Sequence, residues 1–291
     1  MKYVKIGDIW KQQYGQKIYK LSLSTGCTCP NRDGTKGSGG CIYCSNQGSG
    51  DFAQSHTQGI LQQIENAKKL VNKKGAQKYI AYFQSFSNTY ASVNYLEPIF
   101  TQAIKHPDVV ELYIATRCDC INSDILGMLS RLQQIKPVTV ELGLQTIHPQ
   151  SLIQLNCCYT LKEFETALNA LHARGVRTVI HAIMGLPWES ERQMLETIKY
   201  IGKSGANGIK IHMLHVLRGT PLGNMYTKQP FPLLTEDEYI HLLGKALQLL
   251  PPNMEIHRLT GDGAKKDLIA PLWTANKRQV LNHINNYFKN L

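Results

Sequence analysis

Short, nearly continuous apolar runs alternate along this chain with longer stretches in which apolar residues recur every three or four positions. The runs at 18–22, 79–84, 109–115, 138–144, 178–183 and 208–213 are rich in Val, Ile and Tyr. That texture predicts strands buried on both faces. Between them, 59–72, 93–105, 124–134, 162–174 and 190–204 repeat Leu, Ile and Ala at helical steps. Gly75, Gly175 and Gly205 stand where helix C-caps belong. Six strand–helix repeats in this order predict parallel strands joined by right-handed crossovers. A barrel-like and a doubly wound sheet both satisfy the pattern. Past about residue 220 the texture changes: Pro221, Pro230 and Pro232 predict a connector, followed by a helix at 236–249, a short strand at 255–259 and a last helix at 275–289.

Composition narrows the picture. The 291 residues, 43% apolar and 18% charged, suit one large α/β domain or two ordinary ones and exclude wholesale disorder. No apolar run approaches the ~18 residues of a membrane span, and the first residues lack the apolar stretch of a secretion signal. A cytoplasmic protein with no membrane partner is expected. Lys and Arg number 32 against 21 acidic residues, a net charge of +11. The first 36 residues carry seven basic and two acidic side chains, and Lys68, Lys69, Lys73, Lys74 and Lys78 lie close together. Such basic stretches point to a polyanionic partner such as nucleic acid, beside the alternative of a generally basic surface.

The eight cysteines fall in four tight groups: Cys27 and Cys29, Cys41 and Cys44, Cys118 and Cys120, Cys157 and Cys158. In a large chain without a secretion signal, clustered cysteines bind metal or do redox work more often than they form disulfides. Cys29, Cys41 and Cys44 follow the first predicted strand on a glycine-rich loop and can converge on one centre. No His or Cys nearby completes a zinc-finger spacing. Three thiolates suit a [4Fe–4S] cluster with one open iron. A second cluster from Cys118, Cys120, Cys157 and Cys158 has the right ligand count, although adjacent Cys157 and Cys158 are poor geometry for it, and the roles of these four and of Cys27 stay open.

The segment 28–44 resembles the signature of the radical S-adenosylmethionine (SAM) enzymes, in the branch of YhcC-type proteins related to the Elongator catalytic subunit. The long gap ending Gly-Gly-Cys41-Ile-Tyr-Cys44 marks that branch. The likeness extends through the segments 82–90, 115–117, 141–145, 181–187 and 260–262, Ala270-Pro-Leu-Trp273, and Lys277. It implies an α/β fold, a partial (β/α)6 TIM-like barrel with a small C-terminal α/β extension, divided as a core over 1–220 and an extension over 221–291 that closes the barrel. Lys265, Lys266 and the segment 273–277 then serve structural closure.

The resemblance further implies a cluster held by Cys29, Cys41 and Cys44, and reductive cleavage of SAM to methionine and a 5′-deoxyadenosyl radical that abstracts hydrogen. It places Gln84, Ser85, Ser87, Asn88, Glu141, Gln145 and Gly185 around SAM, with Gly143 leaving room for the ribose. Arg117, Asp119, His212 and His215 become candidates for substrate binding. The implied substrate is the wobble uridine of tRNA, its C5 carboxymethylaminomethyl group trimmed toward aminomethyl, with flavodoxin or ferredoxin as electron donor. A small metabolite or a protein as substrate, and a cluster- or zinc-binding protein without turnover, are the alternatives. The chain departs from the branch at Cys27, at Cys118 and at 155–160, where an expected Arg and His are missing.

Overall fold

A computed structural model describes residues 3–48, 50, 52–71, 75–261, 263 and 265–289. Lys73, Lys74, Asp262 and the last residue of the helix predicted at 59–72 lie outside these residues. The six predicted strands form as β2 (Tyr19–Leu23), β3 (Tyr79–Phe83), β4 (Val109–Arg117), β5 (Val138–Gln145), β6 (Arg177–Met184) and β7 (Gly208–Met213). The helices after them are α2 (Ile60–Val71), α3 (Val93–Lys105), α4 (Ser123–Gln133), α6 (Leu161–Ala173) and α7 (Glu191–Lys203). Local chemistry sets their starts: Asn122 caps α4, and Thr160 with Glu163 and Ser190 with Gln193 form reciprocal capping boxes.

All neighbours in the main sheet run parallel. Its order is β9 (Glu255–Arg258) beside β7, then β6, β5, β4, β3 and β2, with β1 (Val4–Lys5) outside β9. In a flat sheet β2 and β7 would lie about 24 Å apart, at about 4.8 Å per strand. Yet Lys20 on β2 and Lys210 on β7 both reach the carboxylate of Glu141 on β5. The sheet is therefore curled into a partial TIM-like barrel with these side chains on its concave face.

Several elements differ from the sequence reading. The basic N-terminal stretch forms β1 and α1 (Ile6–Tyr14), which puts Ile6 and Trp10 beneath the concave face with Ile18, Ile80, Tyr82, Tyr113 and Ala115. The helix plugs the end of the barrel where the strands begin. A short α5 (Pro149–Gln154) follows β5. The predicted connector begins as α8 (Pro221–Lys228), because Pro221 sits in the first turn, where its missing N–H costs nothing, and Thr220 caps it. A small antiparallel pair, β8 (Val216–Leu217) and β10 (Leu268–Ala270), sits beyond β7. Finally α9 (Glu236–Gln248) and α10 (Lys277–Lys289) pack on the outer core through Leu243, Ile284 and Phe288.

Candidate active site

The loop after β2 is tied into shape by its own polar side chains. Arg32 and Asp33 donate backbone N–H groups to the Cys29 carbonyl, and Cys44 donates to that of Cys41, closing the turn between two of the cysteines. Asn31 is fully buried; its amide donates to the Asn156 carbonyl and approaches the Cys41 sulfur at 3.6 Å. Arg32 donates to the carbonyls of Cys44 and Ser45 at 3.2 and 2.7 Å. Gly48, at φ +60°, lets the Phe86 ring lie where any Cβ would be.

This loop walls one side of a cavity of about 250 Å³ at the C-terminal ends of the strands. Cys29, Cys41 and Cys44 face it, as do Gln84, Arg117, Gln145, His212 and His215 from the strand ends. Of the four described non-glycine residues with positive φ, Phe86 and Gln145 line the cavity, and Asn156 and Cys158 pack against the cysteine loop at Gly40 and Gly37. Backbone held in that region concentrates where a site is shaped. At Gln145 an irregularity in the pairing of β5 with β6 turns the side chain back over Gly143. Its amide fills the room the sequence reading left for a ribose: a Cβ on Gly143 would sit 2.7 Å from Gln145 Nε2.

The thiols differ in their surroundings. Burial pushes Cys29 up, whereas a hydrogen bond from Cys157, with Arg117 and Asn31 nearby, holds Cys41 below the ordinary thiol range. Among the described residues no three His, Cys, Asp or Glu side chains are arranged as a metal-binding group. The fit to an iron–sulfur cluster rests on the donor set, three unbridged thiols on one wall of one cavity, the number that leaves one of four irons open. The second cysteine set does not gather. Cys118 is in the outer core, Cys120 lies beside Asp119, Cys157 is hydrogen-bonded to Cys41, and Cys158 packs at Gly37. Cys27 belongs to the outer core as well.

Five of the proposed site residues do not line the cavity. Ser87 shares a hydrogen bond with Thr116, and Asn88 bonds Thr25 and the Ala115 carbonyl, so both brace the rim from within. Ser85 packs against Gly50. Asp119 is buried under a two-bond grip from Arg117, at 2.9 and 2.8 Å, and faces Lys36. Gly185, at φ +89°, donates its N–H to Met194 sulfur and faces Leu234. Glu141 does line the cavity, but from the middle of β5, and both its oxygens are engaged. Oε1 accepts from Lys20 at 2.7 Å; Oε2 accepts from Tyr82 at 2.8 Å and from Lys210, and meets His181 at 2.9 Å.

The floor around Glu141 is the part sequence reasoning missed. Tyr82, His181, Lys210 and Arg258 line the cavity there. A pairing irregularity between Ile209 and Lys210 sets Arg258 directly opposite Lys210. Burial alone would raise Glu141, but the charges of Lys20 and Lys210 and the hydrogen bond from His181 hold it ionised, well below the usual carboxylate range. Burial lowers His181 to about 4 and His212 well below its ordinary value. The readable signal was a lone Lys210 and a lone His181 inside otherwise apolar strands, since such groups are buried only with partners.

Most described lysines of the basic stretches sit away from this site. Lys68 and Lys69 end α2, Lys11 ends α1, and Lys17 and Lys78 precede β2 and β3, all at the end of the barrel where strands begin. Lys68 pairs with Glu65 and Asp108, and Lys78 donates to the Pro107 carbonyl. Lys20 is inside the barrel, and Arg32 and Lys36 are tied into the cysteine loop. The exposed cations beside the cavity are instead Arg218, Lys265 and Lys266, flanking the small sheet of β8 and β10.

Comparison with known proteins agrees with this geometry. Residues 24–201 match the family described as Radical SAM superfamily, and 206–290 match the Radical_SAM C-terminal domain. The protein YtqA of Bacillus subtilis is 40% identical over 96% of this chain and 87% of its own length. YhcC of Escherichia coli is 34% identical over 93% of this chain and 87% of its own. A tRNA uridine(34) acetyltransferase of Methanocaldococcus jannaschii is 27% identical over 53% of this chain and 28% of its own. Among solved structures, archaeal Elp3 of Methanocaldococcus infernus superposes with a TM-score of 0.65 at 17% identity, over 79% of this chain and 59% of that one. No described helix is long and apolar enough to cross a membrane. The chain is thus a member of the radical SAM superfamily, in its YhcC-type branch, an enzyme family whose cofactors are a [4Fe–4S] cluster and S-adenosylmethionine.

Proposed function

We propose that this radical SAM enzyme works in the cytoplasm on tRNA, at the C5 side chain of the wobble uridine, trimming carboxymethylaminomethyl toward aminomethyl. The observation that carries the reading is the single cavity bounded by three thiols above and by polar strand-end side chains below. The name of the relative acting on tRNA uridine 34 supports the substrate class. Cys29, Cys41 and Cys44 hold the cluster, and Gln84 and Gln145 contact SAM from the ends of β3 and β5. When bound, cluster and SAM would supply radical hydrogen-atom abstraction at the substrate, with flavodoxin or ferredoxin as the source of the electron.

The chain's own residues position and seal. Arg32 and Asn31 fix the cysteine loop by bonding its carbonyls and its partner loop. The plug formed by α1 keeps water out of the cavity from below. His212 and His215 face the substrate side. Arg218, Lys265 and Lys266 meet tRNA phosphates, in place of Lys11, Lys17, Lys68, Lys69 and Lys78, which lie at the opposite end of the barrel. The segment 1–220 forms the working core in this reading, and 221–291 completes and closes it.

Nucleoside mass spectrometry of total tRNA from cells with and without the gene tests the substrate. Accumulation of carboxymethylaminomethyluridine on loss supports the reading, and an unchanged profile with the upstream pathway active defeats it. Anaerobic reconstitution tests the chemistry: 5′-deoxyadenosine and methionine should form only with reductant, and Cys41→Ala should abolish both iron–sulfur absorption and cleavage.

A further inference from the structure

Cys27, Cys118, Cys120, Cys157 and Cys158 have no part in the proposed reaction, and all are unbridged. The thiol of Cys157 is hydrogen-bonded to the sulfur of Cys41. The two residues have different surroundings: Cys41 lines the cavity, whereas Cys157 is fully buried in the main core. Their contact is held from both segments of chain. Ile42 donates its backbone N–H to the Leu155 carbonyl at 3.0 Å. Asn156 donates to the Gly40 carbonyl at 2.9 Å, and Asn31 donates back to the Asn156 carbonyl. The Arg117 guanidinium donates to the carbonyl of Cys157 itself at 2.8 Å. Asn156 and Cys158, at φ +54° and +56°, bracket Cys157 with backbone that persists only where its surroundings fix it. Gly37 permits the close approach, since a Cβ there would lie 2.8 Å from the Cys158 sulfur.

We propose that Cys41 and Cys157 are a modification site: when the chain is without its cluster, they close into a reversible disulfide that keeps the cluster ligand recoverable. The inference rests on the proposed role of Cys41 in holding the cluster and extends it by assigning Cys157. The oxidant is a peroxide that reaches the cavity. The Cys41 sulfur attacks one peroxide oxygen, the O–O bond breaks, and the departing hydroxide leaves as water with the proton of that thiol. Cys41 is then a sulfenic acid. Cys157 displaces its oxygen: the S–O bond breaks, the S–S bond forms, and a second water leaves with the Cys157 proton. The two thiols together lose two electrons and two protons, and one peroxide becomes two waters. A sulfenic acid with no thiol in contact goes on to sulfinic acid, which thiol reductants do not reverse. Iron takes its sulfur as thiolate, and a disulfide has none to give, so cluster and disulfide exclude each other at Cys41.

The test treats the full chain, cluster-free and reduced, with stoichiometric hydrogen peroxide, then denatures it in N-ethylmaleimide and maps its peptides by mass spectrometry without reductant. A peptide pair joined through Cys41 and Cys157 should dominate. Dithiothreitol should return both thiols and the capacity to take up iron and sulfide. The cluster-loaded chain, quenched before its iron–sulfur absorption falls, should give about tenfold less of the pair. Cys157→Ser keeps a hydroxyl beside Cys41; there the same peroxide should leave about fivefold more Cys41 as sulfinic acid, and dithiothreitol should fail to restore iron uptake. Cys158→Ser, the neighbouring control, should match the unaltered chain. Cys41 and Cys157 both left alkylated in the unaltered chain, or Cys41 joined instead to Cys29 or Cys44, overturns the proposal with no variant involved. Equal sulfinic acid in the unaltered chain and Cys157→Ser overturns it as well. Iron–sulfur absorption retained in Cys41→Ala overturns the cluster reading and the protective role with it. A missing Cys41–Cys157 pair beside absorption abolished in Cys41→Ala overturns the disulfide alone.

Discussion

The two faces of a single strand are built on different physics here. On β5, Val138, Val140, Leu142 and Leu144 point outward into the main core against the helices, while Thr139, Glu141 and Gly143 point into the barrel. On β7 the division repeats, Ile209, Ile211 and Met213 outward and Lys210 and His212 inward. The outward face is held by contact area, which is non-directional and tolerates exchange among apolar groups of similar volume. The inward face is held by charge balance around Glu141, where each group is costly unless the others are present. One face makes the fold; the other makes the cavity chemically selective.

Breaking the inward balance should have the largest effect. Glu141→Gln leaves Lys20 and Lys210 without their shared counter-ion and should cost about 3–5 kcal/mol in chemical denaturation. Adding Lys210→Met should return at least ~1 kcal/mol of that, a coupling expected of groups in contact. Leu142→Ala on the outward face should cost about 2–5 kcal/mol as a cavity and add independently to Lys210→Met. Additivity of the Glu141 and Lys210 changes would dissolve the distinction between the faces.

Acid should separate the faces next. His181 and His257 are held neutral by burial, each down to about 4. In the unfolded chain they take up protons below about 6.5, while the fold resists doing so until near 4. Stability should therefore fall as pH drops across this window, by up to about 3 kcal/mol per histidine. Glu141, held ionised well below the usual range, loses its contribution at lower pH still. His257→Phe should flatten the melting temperature between pH 6.5 and 4, and an unaltered slope would remove this histidine from the account.

The smallest effects concern the two ends of the barrel. Lys69→Ala, exposed at the end where strands begin, should change stability by less than ~0.5 kcal/mol and leave tRNA affinity and its salt slope unchanged. Lys266→Ala beside the cavity should weaken tRNA and reduce that slope by about one phosphate. Gel-shift titrations at two salt concentrations read both, and equal losses at the two ends would erase the polarity.

Much of the fold was legible because local rules and global packing agree. Helical periodicity and the C-cap glycines Gly175 and Gly205 marked α6 and α7, and the apolar runs marked β2 to β7 within two residues of their observed ends. The short α5 and α8 were missed because neither has enough turns for a period to show. The N-terminal stretch was read by its charge, whereas Ile6 and Trp10 decided its place. Of the cavity lining, Cys29, Cys41 and Cys44 were expected from their spacing, and Gln84, Arg117, Gln145, His212 and His215 from the family resemblance at the strand ends. Ser87, Asn88 and Asp119 occupy the same strand ends, yet their side chains are spent on Thr116, Ala115 and Arg117.

The sequence by itself determined the order of strands and helices, the cysteine loop and the family, because each is written in neighbouring residues through spacing and periodicity. Only the tertiary structure decided that Lys20, Glu141 and Lys210, more than a hundred residues apart in places, share one charge balance. It also decided that Arg258 joins them. Curling of the sheet brings distant strands within reach of one carboxylate, and a slip in the pairing of β7 with β9 selects which residue faces inward. Both depend on the whole sheet being assembled, and no local stretch of chain encodes either.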